Sequence, residues 1–422
     1  MTLLLLGFLA LVALRVPIAF ALGLSCLGYL LATGTPLVVM PMKMYSGIDV
    51  FVLLSIPGFI LAGNLMNAGG LTQRIVAFAN HLVGHVRGGL ALANIASSML
   101  FAGISGTAIS DTASIGSVMI PAMKREGYDA DFACAVTAAS STVGPIIPPS
   151  VSMIIAATLT GLSVGKLFLA GAVPGILLGL SLLGYTYWVA RRRGYPKHAR
   201  SSWRQLAASF RDTFWALLLT VLILYGIIGG LFTPTEASVV AVLYAALVGT
   251  FVYGRLTPKR VLAVALDSMR TSAALMVLIG FANLFGYLLI VERLPQTVSA
   301  QLLAVSDNPY VVLLLINLLL IAVGTFMETI AALLILFPIL LQVATSVGVD
   351  PIHFAVVALL NLMIGLTTPP LGVCLFVAAG IGKVPVGDVS RAGLPFLLVS
   401  LGVLALVTLV PGLSLWLVDL LS

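Results

Sequence analysis

Hydroxyl side chains and proline-freed carbonyls collect in four short stretches of this chain. GISGTAISD (103–111) offers Gly103, Ser105, Gly106, Thr107 and Ser110, and SSTVGPIIPPS (140–150) offers Ser141, Thr142, Pro145, Pro149 and Ser150. In the second half, GTFMET (324–329) supplies Gly324, Thr325, Glu328 and Thr329, and GLTTPP (365–370) supplies Gly365, Thr367 and Thr368. Proline has no backbone N–H, so a helix interrupted at Pro-Pro leaves carbonyls without intrahelical donors. Such carbonyls, with neighbouring hydroxyls, suit a hard cation such as Na+, which takes oxygen ligands. A helix restarting after the break points its N-terminal N–H groups into the same space, which favours an anion. The chemistry expected here is therefore joint binding of a cation and an anion.

Irregular backbone of this kind has to be held somewhere, and composition says where. The chain has 422 residues, of which 60% are hydrophobic and 8% charged, with a mean hydropathy of +1.17. Runs such as LFLAGAVPGILLGLSLLGYTYWVA (167–190) are continuously apolar over helical length, which indicates a polytopic all-α membrane protein and excludes a barrel of short alternating strands. At membrane depth, non-helical backbone is tolerated where it is buried in protein or lines a wet cavity. Asp111 and Glu328 are the two acids expected inside the membrane, where an ionisable group is a candidate for function; each could equally be a structural cap. Cys26, Cys134 and Cys374 lie in apolar segments without paired spacing, as packing residues do. His81, His85, His198 and His353 show no ligand-like clustering. The start, MTLLLLGFLALVAL, lacks a basic lead and a small-residue cleavage site, and reads as a retained first helix. The net charge of +7 does not point to nucleic acid, because seven of the 21 Lys and Arg fall between Arg191 and Arg211. A cytoplasmic loop obeying the positive-inside rule accounts for them.

That basic segment divides the chain into similar halves. Shifted by 221 residues, Gly324 falls on Gly103, Gly348 on Gly127, Asp350 on Asp129, Gly365 on Gly144, and Pro369-Pro370 on Pro148-Pro149. Glu328 falls on Thr107 rather than on Asp111. The equivalent loops MKREGYD (123–129) and ATSVGVD (344–350) differ in charge, which places them on opposite sides of the bilayer and makes the repeat inverted. The expected organisation is a first repeat over 1–190, a linker over 191–212, a second repeat over 213–391 and a C-terminal helix over 392–422. Ten crossings are expected, among them 2–14, 17–34, 273–291 and 392–417. Two of the ten are broken helices, 130–160 and 352–380. Re-entrant hairpins occupy 90–123, entering from the cytoplasm, and 310–344, entering from the opposite face. TQRIVAFANHLVGHVRGG (72–89) is expected to lie along the cytoplasmic surface, with Arg15 inside and Lys43 outside.

GISGTAISDTASIGSVMIPAMKREGYDADFACAVTAASSTVGPIIPPS, GLFTPTEAS (230–238), METIAALLILFPIL (327–340) and NLMIGLTTPPLGVCLFV (361–377) closely resemble the large membrane subunit of tripartite ATP-independent periplasmic (TRAP) transporters, over essentially the whole chain. The resemblance implies Na+-driven import of an organic acid across the bacterial inner membrane: a C4-dicarboxylate, sialic or other sugar acid, or keto acid. It implies a soluble periplasmic binding protein that delivers the substrate and a four-helix small membrane subunit as a separate chain. It also implies an elevator mechanism, in which hairpins and broken helices move against a fixed scaffold. Carried over, one Na+ site involves the turn Gly103, Ser105 and Thr107 with Ser141, Thr142 and Pro145. The other involves Gly324, Thr325 and Glu328 with Gly365, Thr367 and Thr368. Substrate lies between the hairpin tips near Ser105, Thr107, Pro149 and Ser150. A self-sufficient Na+/carboxylate symporter of similar architecture is the alternative. A passive channel fits less well, because inverted broken helices favour alternating access around one site. An intramembrane serine enzyme lacks a base, since no histidine falls in the hairpin segments.

Overall fold

The computed structural model describes residues 2–421 apart from Gly106, Pro295, Val298, Ser299, 301–305 and Asp307, and at 102–105 it describes the backbone alone. The described secondary structure is helical. Helices α1 (Thr2–Ala13), α2 (Ile18–Thr33), α3 (Val39–Ile48), α4 (Ser55–Ala68) and α5 (Leu71–Val83) precede a hairpin of α6 (Gly89–Ser105) and α7 (Ala108–Arg125). Two half-helices follow, α8 (Ala130–Ser141) and α9 (Val151–Thr160), and then the long α10 (Val164–Arg193). The second half opens with α11 (Trp203–Ile228), α12 (Pro234–Leu247) and α13 (Pro258–Val291). A second hairpin, α14 (Pro309–Gly324) and α15 (Thr329–Ser346), leads to half-helices α16 (Pro351–Gly365) and α17 (Val373–Gly382), and then to α18 (Val386–Leu409) and α19 (Gly412–Leu421).

Element boundaries repeat at the offset read from the sequence. Both ends of α7 lie 221 residues before those of α15, α8 starts 221 before α16, and α9 and α10 start 222 before α17 and α18. Half-helices of 12 and 10 residues rise only about 18 and 15 Å, so α8 and α9 cross a ~30 Å hydrocarbon core together and not singly. The breaks contain Pro148-Pro149 and Pro369-Pro370, both cis peptide bonds. Packing follows a reciprocal pattern. The first hairpin arm α7 rests on α8 of its own half and α17 of the other, while α15 rests on α16 of its own half and α9 of the other. Each hairpin thus touches its own first half-helix and its counterpart's second, as a two-fold relation requires.

Several local expectations change. The segment around Lys43, expected only to lie on the outer side of the membrane, forms α3. Helix α13 runs for 34 residues, starting well before the crossing expected at 273–291. No glycine or proline interrupts it between Pro258 and Gly280, and a Thr257 hydroxyl that accepts from the Arg260 N–H caps its start. The expected crossing over 392–417 is divided at Pro411, with α18 ending at Leu409 and α19 separate, because proline cannot continue the hydrogen-bond ladder. Helix α1 has 12 residues, fewer than a full crossing needs. The basic segment is mostly helical: α10 continues to Arg193, Gly194 closes it at φ 68°, and α11 begins after a Ser202–Gln205 capping box.

Candidate ion and substrate site

The hydroxyls singled out in the sequence share one hydrogen-bond arrangement. In the first half, Ser141 Oγ donates to the Ala138 carbonyl at 2.7 Å and Thr142 Oγ1 to Ala139 at 2.7 Å. In the second, Thr325 Oγ1 donates to Ala322 at 2.7 Å, and Thr367 and Thr368 Oγ1 each reach the Ile364 carbonyl at 2.9 Å. Each hydroxyl has committed its single proton to the preceding helical turn, so its remaining lone-pair capacity can face a cation. Among the described residues, the carbonyls of Ser141, Thr142, Gly144 and Pro145, and those of Gly324, Thr325, Thr367 and Thr368, accept no backbone hydrogen bond. Two patches of carbonyl and hydroxyl oxygen therefore exist, one in each repeat.

Close backbone approach joins hairpin to break in the second patch. A Cβ added to Gly365 would stand 2.7 Å from both Cα and C of Gly324 and 2.9 Å from its carbonyl oxygen. Glycine is needed there because nothing larger fits between two backbones. The first patch is built differently. A Cβ on Gly144 would overlap the Asp111 carboxylate, and Asp111 is wholly buried on α7. Thr112, the next residue, donates from Oγ1 to Ser141 Oγ at 2.6 Å. The Cys374 thiol of α17 faces Thr112, Ser141 and Asp111, so a side chain of the second repeat completes the first patch.

The remaining candidates act on helix ends. Thr107 caps α7 by accepting from Ser110 N at 3.3 Å. Glu328, its repeat equivalent, caps α15, Oε2 accepting from Ile330 N at 3.0 Å and Ala331 N at 3.3 Å. Ser150 caps α9 by accepting from Met153 N at 3.3 Å, whereas Gly372 occupies that place before α17 with φ 53°. Ser150, Pro149 and Pro145 are buried. Gly103 and Ser105 end α6; the Ser105 side chain and Gly106 lie outside the described residues. Polar pairs fix the outer hairpin arms on the broken helices. Asn94 Nδ2 donates to Thr137 Oγ1 at 2.6 Å and Ser98 to Ser140 at 3.0 Å. In the other half Asn361 Nδ2 donates to Asn317 Oδ1 at 2.7 Å, and Asn317 Nδ2 ties the same arm to α18 by donating to Thr408 Oγ1 at 3.1 Å. Thr112, Ser98 and Asn361 were not among the expected site residues, and Cys374, expected only to pack, reaches the first patch. Thr112 was legible as a hydroxyl directly beside Asp111. Nothing in the sequence marks Cys374, whose contact crosses between repeats.

Paired hairpins and broken helices in an apolar all-helical frame define a membrane transporter of inverted-repeat build. Its fold is that of the Alcanivorax borkumensis YdaH transporter, with a TM-score of 0.63 over 93% of this chain and 90% of that one, at 18% identity. The family model described as "Tripartite ATP-independent periplasmic transporter, DctM component" matches residues 5–413, and the chain belongs to that family. It is 42% identical to the sialic acid TRAP transporter large permease protein SiaM of Vibrio cholerae, over 98% of this chain and 97% of that protein. It is also 42% identical to the C4-dicarboxylate TRAP transporter large permease protein DctM of Pseudomonas aeruginosa, over 94% of this chain and 93% of that one. The chain is accordingly a large permease subunit, a multi-pass protein of the bacterial inner membrane.

Proposed function

We propose that this subunit imports an organic acid anion with Na+, receiving it from a periplasmic binding protein and working beside a small four-helix membrane subunit. The observation that carries this reading is a patch of carbonyl and hydroxyl oxygens at each break, the first where Asp111 and Thr112 of α7 meet Gly144 and Ser141, the second where Gly324 meets Gly365. Neutral oxygens favour an alkali cation, which loses little by exchanging water for carbonyl and hydroxyl ligands. One patch involves Ser141, Thr142 and Pro145 with the 103–107 turn, and the other Gly324, Thr325, Gly365, Thr367 and Thr368, beside the Glu328 carboxylate that caps α15. The substrate carboxylate sits between the hairpin tips near Ser105, Thr107, Pro149 and Ser150, facing the N-termini of α7 and α9.

An elevator motion is part of this proposal: α7 and α15 each pack on half-helices of both repeats, which would let the two hairpins and the broken helices move as one body. Relatives named for sialic acid, C4-dicarboxylates and isethionate favour a small organic acid anion as the substrate class. The test is uptake of such an acid by proteoliposomes holding both membrane subunits, with binding protein outside. Uptake should require an inward Na+ gradient and the binding protein. Uptake indifferent to Na+ would remove the coupling, and uptake by this chain alone would favour a self-sufficient symporter.

A further inference from the structure

We infer that the C-terminal end of α10 holds the phosphate headgroup of an anionic phospholipid from the inner leaflet. A shallow, open depression of about 320 Å³ there is lined by Trp188, Arg191 and Arg192. The apolar part of α10 ends at Ala190, and Tyr185, Tyr187 and Trp188 precede the arginines, an order typical of a helix leaving hydrocarbon for the headgroup layer. The indole is 54% accessible and leans on Tyr185, 5.9 Å away between ring centroids, which stands edge-on to Phe396 at 4.9 Å. Arg192 Cζ lies 5.5 Å from the Trp188 ring centroid. Both arginines are exposed.

Nearby acids are engaged elsewhere. Asp129 accepts from Arg193 Nη1 at 2.7 Å and from Tyr195 OH at 2.7 Å, and Glu126 pairs with His198 at 2.8 Å. Among the described residues no carboxylate pairs with Arg191 or Arg192. Two adjacent guanidiniums, planar and bidentate, match a phosphodiester. The acyl chains of the lipid would lie along the exposed apolar face of α10, where Leu180 and Ile176 are 55% and 46% accessible. Positive-inside topology alone would place arginines here, but it would give no lipid selectivity at Trp188.

Quenching of Trp188 by brominated lipids tests this on the full chain in mixed micelles, with Trp188→Phe subtracted to isolate its signal. Brominated phosphatidylglycerol should bind about thirtyfold more tightly than brominated phosphatidylcholine, from a gain of roughly fivefold per arginine. Arg191→Gln/Arg192→Gln should abolish the preference, while Arg191→Lys/Arg192→Lys should keep part of it. Equal quenching by both lipids in the native chain, or a preference that survives the glutamine pair, overturns the assignment. If the glutamine pair does not fold, the native comparison still decides. Displacement of the lipid by millimolar inorganic phosphate would show a free-anion site and would likewise overturn it.

Discussion

The contact between Gly324 and Gly365 allows the ion-binding reading to be tested by one methyl group. In Gly365→Ala the new Cβ would stand 2.7 Å from two carbon atoms of Gly324, whereas carbon atoms rest at about 3.5–4.0 Å. Hairpin tip and broken helix must part by about 0.8 Å. Neither atom belongs to a flexible side chain, so the separation falls on the backbone carbonyls proposed to share a cation. Overpacking of this size costs about 1–3 kcal/mol. If the compact arrangement is the Na+-loaded one, that cost weakens Na+ by about 5- to 140-fold. Gly324→Ala should be milder, because its Cβ would approach Gly365 Cα at 3.2 Å. Gly402→Ala in α18 serves as the control, since a Cβ there meets nothing within 4 Å and alanine favours the helix. The assay is the Na+ concentration for half-maximal uptake in proteoliposomes, with thermal unfolding measured beside it. A Gly365→Ala protein with native Na+ dependence would refute the reasoning, as would an effect from Gly402→Ala as large.

Other predictions follow from single atoms. Thr368→Ala and Ser141→Ala each remove one hydroxyl oxygen and should raise the half-saturating Na+ concentration several-fold without lowering the amount of folded protein in the membrane; unchanged Na+ curves for both would dissolve the assignment of ligands. Glu328→Gln keeps an oxygen for the Ile330 and Ala331 N–H groups, so a capping role predicts native stability and transport. Glu328→Ala should cost about 0.5–2 kcal/mol as other caps do, and loss of Na+ coupling in the glutamine variant would instead make the charge an ion ligand. Leu371→Cys and Phe326→Cys, at positions 42% and 60% accessible, should react with thiol reagents faster than Thr142→Cys at 1%; equal rates would contradict the difference in access between the two breaks.

Much of the repeat was legible because glycine and proline mark backbone requirements that other residues cannot meet. Pro148-Pro149 and Pro369-Pro370 fixed the two breaks, and the intervening lengths fixed α7 against α15. Hairpin limits read as 90–123 and 310–344 fell within two residues of the helices. Side-chain roles were less visible. Glu328 and Thr107 differ in charge and size yet do the same capping work, because a helix N-terminus asks only for an oxygen at the right place. Helix α13 outran the crossing expected at 273–291 because a membrane span is read from its apolar length, whereas the helix itself continues through the charged residues Asp267 and Arg270 before it. The Cys374 contact could not be read at all, since it depends on how one repeat seats against the other.

The two patches are similar in chemistry and unequal in access, and the cause lies in the helices that follow them. A Cβ on Gly171 of α10 would stand 2.7 Å from the Ile146 carbonyl, and one on Gly175 would stand 3.2 Å from the Ile147 nitrogen. The glycine face of α10 thus lies directly against the first break and seals it. At the offset of 222, Gly171 becomes Gly393 and Gly175 becomes Leu397. A Cβ on Gly393 would meet only a Leu375 methyl at 3.6 Å, so α18 stands further from the second break. Pro370 and Leu371 are consequently exposed while Pro148 and Pro149 are buried. For a transporter with one central site, this inequality orders events. A cation reaching Thr367 and Thr368 passes an exposed break, whereas one reaching Ser141 and Thr142 has to part α10 from the first break or α7 from α8. The first patch should therefore exchange its ion more slowly than the second, and substitutions that loosen α10, such as Gly175→Ala, should affect the slow step alone.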